Sequence, residues 1–233
     1  MIRKFINSFK ALTKFETKLY IVSLFVVILS FMFSKGSGFF QMISSAIGVT
    51  ALIFIAKGDV TGQILTVVFS ILYGIISFKM RYYGEMITYM FMTAPMAVMA
   101  VVAWIKNPYE KNRAEVKVNS LGRFEILLMF VYSALVTIAF YYILKFLGTE
   151  SIFWSTLSVT TSFLASYMTF RRSPFYALGY AANDVVLIVL WVVASIEDIA
   201  YVPMIFCFIM FLINDLYGFV CWQKMKKRQD SNI

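Results

Sequence analysis

The sequence predicts an all-α integral membrane protein with eight transmembrane helices. Three observations support this fold class: the composition, the lengths of the apolar stretches and the placement of the basic residues. Of the 233 residues, 61% are hydrophobic and 18% are aromatic, and the mean hydropathy is +0.80. These values exceed those of ordinary soluble globular chains. We therefore expect the chain to lie in a lipid bilayer.

Eight apolar stretches are each long enough, at about 17 to 25 residues, to cross roughly 30 Å of hydrocarbon as a helix. Helices are expected throughout, because a lipid-exposed segment must satisfy its backbone hydrogen bonds internally. The predicted spans cover residues 17–34, 38–56, 62–79, 83–105, 124–147, 151–170, 174–195 and 200–222. The first follows a basic leader but lacks a small-residue cleavage pattern, so we expect it to be retained.

The basic residues fall mainly on alternate connections between these spans. Eight spans place both termini on one side, and 17 of the 21 Lys and Arg residues, including Lys111 and Arg113, then share that side. The other side carries Lys35, Lys79, Arg81 and Lys145, beside Glu150, Glu197 and Asp198. The positive-inside rule then puts both termini in the cytoplasm. We interpret the net charge of +9 as a topology signal. The basic residues lie between the apolar stretches and do not form a basic surface interspersed with aromatic residues, as in nucleic-acid-binding proteins.

An internal repeat relates two parts of the chain. A shift of 118 residues lays Trp104 over Trp222 and Tyr73 over Trp191, so that spans 2 to 4 correspond to spans 6 to 8. With one linking span, both triplets have the same orientation and should be related by an axis along the membrane normal. The predicted units are residues 1–34 (N-terminus and extra helix), 38–105 (first triplet), 124–147 (linker), 151–222 (second triplet) and 223–233 (basic cytoplasmic tail).

Two of the spans carry an amide next to a carboxylate. An Asp at the centre of a membrane helix costs about 2.5 to 3.5 kcal/mol, so Asp184 and Asp215 are candidate functional groups. The alternative is a structural role, in which each Asp caps backbone or pairs with Asn or Tyr. Helical spacing adds further groups to the same faces. The predicted substrate-binding residues are Gln63 and Thr66 in span 3, Tyr180, Asn183, Asp184 and Trp191 in span 7, and Asn214, Asp215 and Tyr217 in span 8.

Other polar and aromatic features of the spans have simpler interpretations. The serine-rich stripe of span 6 is typical of helices that pack closely and hydrogen-bond to one another. Trp104 and Trp222 each end a span beside a Lys, as interface-anchoring aromatic residues do.

The predicted site suits a small molecule that is uncharged or cationic. Its mixture of amides, hydroxyls, carboxylates and aromatic rings matches a flat ring attached to a ribose-like set of hydroxyls. An anionic phosphate is disfavoured, because no Arg or Lys lies at membrane depth. The sequence contains no histidine, so zinc clusters and Ser-His or Cys-His pairs are excluded. We expect a transporter with no catalytic residue, no metal and no cofactor.

With these residues in view, the chain resembles the PnuC family of bacterial vitamin transporters, whose best-known members move nicotinamide riboside. The similarity extends over roughly spans 2 to 8. It rests on the order and spacing of four stretches: GQILTVVFSILYGIISFKMRYYGE (62–85), PMAVMAVVAW (95–104), NDVVLIVLW (183–191) and NDLYGFVCWQKMKKRQ (214–229).

The resemblance implies a core of three, one and three helices preceded by an extra helix, in a homotrimer in the bacterial inner membrane. It also implies facilitated diffusion of an unphosphorylated vitamin precursor that a cytoplasmic kinase traps. Carried over to this chain, Asn183, Asn214 and Tyr217 would contact the substrate, with Gln63 opposite them.

The chain departs from the family pattern at one place. Nicotinamide riboside members typically carry Trp-x-x-Trp before the polar site of span 7, whereas Ala177 to Tyr180 offers only Tyr180. Thiamine and deoxynucleosides, which other relatives are associated with, are therefore alternative substrates. Proton symport through Asp184 or Asp215, and a substrate-capture subunit of an ATP-driven importer, are alternative mechanisms.

Overall fold

The structure is a computed structural model that describes residues 2–33, 38–80, 82–110, 115–149 and 151–231. Parts of several predictions lie outside these residues: Lys35, Arg81, Lys111, Arg113, Glu150, and residues 1, 34, 232 and 233. The described chain is helical, with loops that form two isolated bridges and no strand. This confirms the all-α prediction.

Each of the eight predicted apolar stretches forms a helix. The helices are α2 (Lys14–Phe33), α3 (Phe39–Ala56), α4 (Val60–Lys79), α5 and α6 (Tyr83–Ile87 and Ala94–Lys106), α7 (Arg123–Phe146), α8 (Ile152–Phe170), α9 (Tyr176–Glu197) and α10 (Val202–Ser231). A short helix that the hydropathy pattern did not predict, α1 (Ile2–Lys10), precedes them. Residues 223–231, predicted as a tail, continue helix α10.

Seven helical segments of the described chain are long and apolar enough to cross a membrane. The exception among the eight predicted spans is α8, in which Ser and Thr occupy many positions and lower the hydropathy. This helix packs against α7 on one side and α9 on another. A multi-pass membrane fold is therefore confirmed, whereas the count of eight crossings stays a prediction.

Six helical segments form a closed ring. In ring order they are α3, α4, α5–α6, α8, α9 and α10, and each packs against the next until α10 meets α3. Helix α2 lies outside the ring against α3 and α10, and α7 lies outside it against α8. The ring encloses the polar side chains of α4, α9 and α10 that are too costly to expose to lipid.

Both ends of the chain lie at the same end of this ring. Ser8 of α1 donates a hydrogen bond to Asp59, which precedes α4 (2.6 Å). The backbones of Asp59 and Glu115 form an isolated antiparallel β-bridge. The side chain of Glu115 accepts a hydrogen bond from Gln229 near the end of α10 (2.8 Å). We call this the termini-side end and the opposite one the distal end.

A π-helical segment, Thr88–Thr93, joins α5 to α6. Pro95 follows in the first turn of α6, where its missing N–H removes one backbone donor. Such widened turns are rare and occur frequently at functional sites. Tyr89 and Thr93 of this segment face the interior of the ring.

Candidate functional site

A small, partly enclosed cavity of about 40 Å³ lies inside the ring. This volume holds about one water molecule, whereas sites for small organic ligands are typically 300 Å³ or larger. A nucleoside-sized molecule therefore requires the ring to expand. The cavity is lined by Gly48, Ala51, Leu52 and Ile55 of α3, Thr66, Phe69 and Ser70 of α4, Tyr89 and Thr93 of the π-helical segment, Tyr180, Asn183 and Asp184 of α9, and Phe211 and Asp215 of α10.

Two carboxyl groups from neighbouring helices meet at this cavity. Asp184 on α9 and Asp215 on α10 are each 3% exposed, and their side chains interact with each other. Within the described chain, Asp184 Oδ2 is buried without a hydrogen-bond partner. None of the described residues that line the cavity is basic. The pair therefore makes the cavity a place where a cation or a hydrogen-bond donor would be stabilised.

The serine-rich face of α8 orients the cavity residues of α9. The carboxamide oxygen of Asn183 accepts hydrogen bonds from Thr161 Oγ1 (2.8 Å) and Ser162 Oγ (3.0 Å), with Ser158 Oγ at 3.4 Å. Tyr180 Oη lies 3.3 Å from Ser166 Oγ. With its oxygen occupied, Asn183 keeps its amide nitrogen as a donor beside Tyr89. The stripe thus supports close helix packing and also fixes two of the predicted site residues.

An aromatic layer closes the cavity at its distal end. It consists of Tyr73, Tyr89, Trp191 and Phe208, all buried. The Tyr73 and Tyr89 ring centroids are 4.4 Å apart, and Trp191 Nε1 donates a hydrogen bond to Tyr73 Oη (3.1 Å). Tyr73 and Trp191 are one of the pairs of positions that the 118-residue shift superimposes.

A second aromatic layer lies toward the termini-side end of the ring. Trp104 and Trp222, also related by the shift, lie with their ring centroids 5.4 Å apart, and Tyr176 packs against Trp222 (4.9 Å). The indoles of Trp104 and Trp222 are at most 1% exposed. Their expected position in an interfacial aromatic belt is therefore wrong, because both point into the ring and not toward lipid.

Five of the nine predicted site residues line the cavity: Thr66, Tyr180, Asn183, Asp184 and Asp215. Trp191 lies in the distal layer instead. Asn214 donates from Nδ2 to Ser23 Oγ of α2 (2.9 Å) and to Met210 O (2.7 Å). It therefore joins α10 to the extra helix.

The remaining two predicted residues, Gln63 and Tyr217, lie toward the termini-side end. Tyr217 Oη donates to Glu16 Oε1 (3.2 Å), and Glu16 also pairs with Lys57 (3.0 Å). Gln63 is 1% exposed, and its Nε2 is buried without a hydrogen-bond partner among the described residues. Substrate contacts by these residues stay predictions.

Sequence reasoning did not select several residues at or beside the cavity. Phe69, Tyr89 and Phe211 supply aromatic surface, and Thr93 supplies a hydroxyl. Glu85 of α5 is 1% exposed. It is only the third residue of its predicted span, and a charged residue there is expected to lie at the membrane surface and not inside the bundle. One feature of the sequence could have identified these residues: Glu85, Tyr89 and Thr93 are spaced four apart, which places them on similar faces of one helix.

Comparison with known proteins agrees with this architecture. A family profile described as "Nicotinamide mononucleotide transporter" matches residues 38–224, which include every residue that lines the cavity. The chain belongs to this family, the PnuC family. Its members are membrane transporters and not enzymes.

Two curated relatives carry the name "Nicotinamide riboside transporter PnuC". The protein from Neisseria mucosa is 25% identical over 221 residues, covering 93% of this chain and 83% of the relative. The protein from Haemophilus influenzae is 23% identical over 189 residues, covering 80% of each. A solved structure described as "Crystal structure of the Vitamin B3 transporter PnuC" aligns with a TM-score of 0.81, 22% identity and 94% coverage of both chains. The chain therefore has the fold of a PnuC transporter.

Proposed function

We propose that this protein is a passive transporter of nicotinamide riboside. The observation that carries the proposal is the polar cavity inside the ring of a PnuC-family chain, in which Asp184 and Asp215 face hydroxyl and aromatic groups. The pyridinium ring of nicotinamide riboside is flat and positively charged, and its ribose carries hydroxyls. Carboxylates and aromatic faces stabilise such a ring, while Asn183 and the Tyr180 hydroxyl suit the sugar.

The described cavity lining has no basic side chain to bind a phosphate, which favours the riboside over the mononucleotide. Phosphate recognition usually employs Arg or Lys, or the N-terminus of a helix. The cavity lining in the described chain offers two carboxyl groups and no basic side chain, which would repel a phosphate. A substrate that enters without phosphate could be retained after phosphorylation by a cytoplasmic kinase, as the family resemblance implies.

The ring order supports the predicted parallel repeat. Rotation by three positions in the ring maps α3 onto α8, α4 onto α9, and α5–α6 onto α10. In this arrangement, residues 38–105 and 151–222 are the two triplets, 124–147 is the linker, and 1–34 and 223–233 are terminal additions. Contacts between shift-related residues, Tyr73 with Trp191 and Trp104 with Trp222, are expected near a two-fold axis.

Eight crossings and cytoplasmic termini follow from the same arrangement. An even number of crossings agrees with both ends of the chain lying at one end of the ring. The positive-inside rule assigns that end to the cytoplasm of a bacterial cell. A homotrimer with one pathway in each protomer is the assembly that the family resemblance implies.

Uptake into proteoliposomes without an ion gradient or ATP tests the proposal. Labelled nicotinamide riboside should equilibrate across the membrane, whereas labelled thiamine and deoxynucleosides should enter much more slowly. A reversed preference would assign the substrate to one of those alternatives. Equal and negligible entry of all three would contradict passive riboside transport.

A further inference from the structure

Glu85 is a buried acidic residue outside the cavity that the proposed site does not use. Its side chain lies at the distal end of the ring on α5 and is 1% exposed. Among the described residues, neither of its carboxyl oxygens has a hydrogen-bond partner. Ser158 of α8 lies beside Glu85, but a buried carboxyl group without a hydrogen bond is costly, so packing alone does not explain its presence.

The surroundings of Glu85 lead toward the cavity. Tyr89, four residues later, lines the cavity and interacts with both Glu85 and Asp184. Ser158 of α8 interacts with Glu85, while its hydroxyl donates to Asn183 Oδ1 of the cavity lining (3.4 Å). Polar groups therefore connect Glu85 to the cavity along two sides.

Aromatic rings also surround this position. Tyr73 and Tyr89, both within electrostatic reach of Glu85, contact each other with their ring centroids 4.4 Å apart and their planes tilted by 60°. A carboxylate beside aromatic faces is the combination that binds flat organic cations, through charge attraction and cation–π contacts. A neutral solute would gain little from the carboxylate.

We infer that Glu85, with Tyr73 and Tyr89, forms a second binding site for the cationic ring at the distal end of the pathway. The inference rests on the proposed function, since it takes the pyridinium ring as its ligand. The cation would occupy this site before it reaches Asp184 and Asp215 in the cavity. We expect α5 to move at the adjoining π-helical segment to admit the cation, since such irregular turns occur frequently at functional sites.

The test compares two ribosides that differ in charge. Nicotinamide riboside carries the pyridinium ring, and benzamide riboside carries a neutral benzene ring of the same shape. Initial uptake of each, labelled, is measured in proteoliposomes containing the wild type, Glu85→Gln or Glu85→Asp. Glu197→Gln is the matched control, because Glu197 is exposed at the same end of the bundle.

We expect Glu85→Gln to slow uptake of the cation about tenfold, equivalent to 1.4 kcal/mol, and to leave uptake of the neutral riboside within about twofold. Glu85→Asp, which keeps the charge, should recover part of the cation uptake, and Glu197→Gln should match the wild type. The ratio of the two rates within one preparation does not depend on how much of a variant folds.

Three results would overturn the inference. Equal slowing of both ribosides by Glu85→Gln would assign Glu85 a structural or protonation role. Unchanged cation uptake, with a wild type that transports nicotinamide riboside, would refute the second site alone. A wild type that transports neither riboside would refute the proposed function, and the inference would fail with it.

Discussion

Replacing Gly48 with alanine should disturb the cavity wall directly. Gly48 lies on α3, and a Cβ atom added there would be 2.3 Å from Phe211 Cζ and 3.1 Å from Phe69 Cδ2. Both rings line the cavity. Because carbon atoms pack at about 3.5 to 4.0 Å, the Phe211 ring must shift by more than about 1 Å.

The effect on transport should exceed the effect on stability. Overpacking typically costs about 1 to 3 kcal/mol, whereas alanine gains up to about 1 kcal/mol over glycine in a helix. The net loss of stability should therefore be about 0 to 3 kcal/mol. The added methyl group is comparable in size to the water-sized cavity of about 40 Å³, so we expect riboside uptake to fall at least tenfold.

The assay combines initial uptake in proteoliposomes with thermal unfolding in detergent. Gly122→Ala is the matched control, because a Cβ atom at Gly122 meets nothing within 4 Å. It should leave both uptake and melting temperature unchanged. Wild-type uptake by Gly48→Ala would refute the assignment of this cavity to the transport pathway, and so would a loss of uptake no greater than the loss of folded protein.

Three further substitutions test other parts of the molecule. Asp215→Asn should slow uptake of cationic nicotinamide riboside about tenfold, since hydrogen bonds to charged groups contribute about 1.5 to 3 kcal/mol. If an imposed pH gradient drives accumulation in the wild type and Asp215→Asn abolishes that accumulation, the result would instead indicate proton symport. Trp191→Phe removes the indole donor to Tyr73 Oη (3.1 Å). The Tyr73 hydroxyl is then buried without this partner, which should lower the unfolding free energy by about 1 to 3 kcal/mol; an unchanged melting temperature would contradict this prediction. Ser23→Ala removes the acceptor for Asn214 Nδ2 (2.9 Å) and should lower the unfolding free energy by about 1 kcal/mol, while riboside uptake stays unchanged. Slowed uptake with unchanged stability would instead assign Asn214 to the transport pathway.

Hydropathy predicted the helices well because membrane insertion depends on the local composition of each segment. The predicted ends agree with the observed ones to within a few residues for most spans, as for 38–56 and Phe39–Ala56. Helix α1 was missed because it is short, and packing against the bundle supports it. Ser8 bonds to Asp59, and Phe9 packs edge-on against Phe54.

The candidate site was predictable where the cost of a buried charge marks it. Asp184 and Asp215 stand out in apolar helices, and both line the cavity. Neighbouring residues on a helix point about 100° apart, so Asn214 faces α2 while Asp215 faces the cavity. Spacing along one helix does not reveal which neighbour each face meets, and only the packing of α2 decides that.

The two aromatic layers hold the ring with unequal strength. At the termini-side end, Trp104 Nε1 donates to Thr169 O of α8 (3.0 Å) and Trp222 Nε1 donates to Ile55 O of α3 (2.8 Å). Each indole thus ties the last helix of one proposed triplet to the first helix of the other. The indole bond of the distal layer instead joins side chains, from Trp191 to Tyr73.

Separating the two triplets at the termini-side end therefore breaks both of these indole hydrogen bonds, at about 0.5 to 1.5 kcal/mol for each. Parting the ring at the distal end would break one indole bond, from Trp191 to Tyr73, so we expect the ring to open more easily there. If the termini are cytoplasmic, the end of the ring with fewer indole bonds faces the medium from which the substrate arrives.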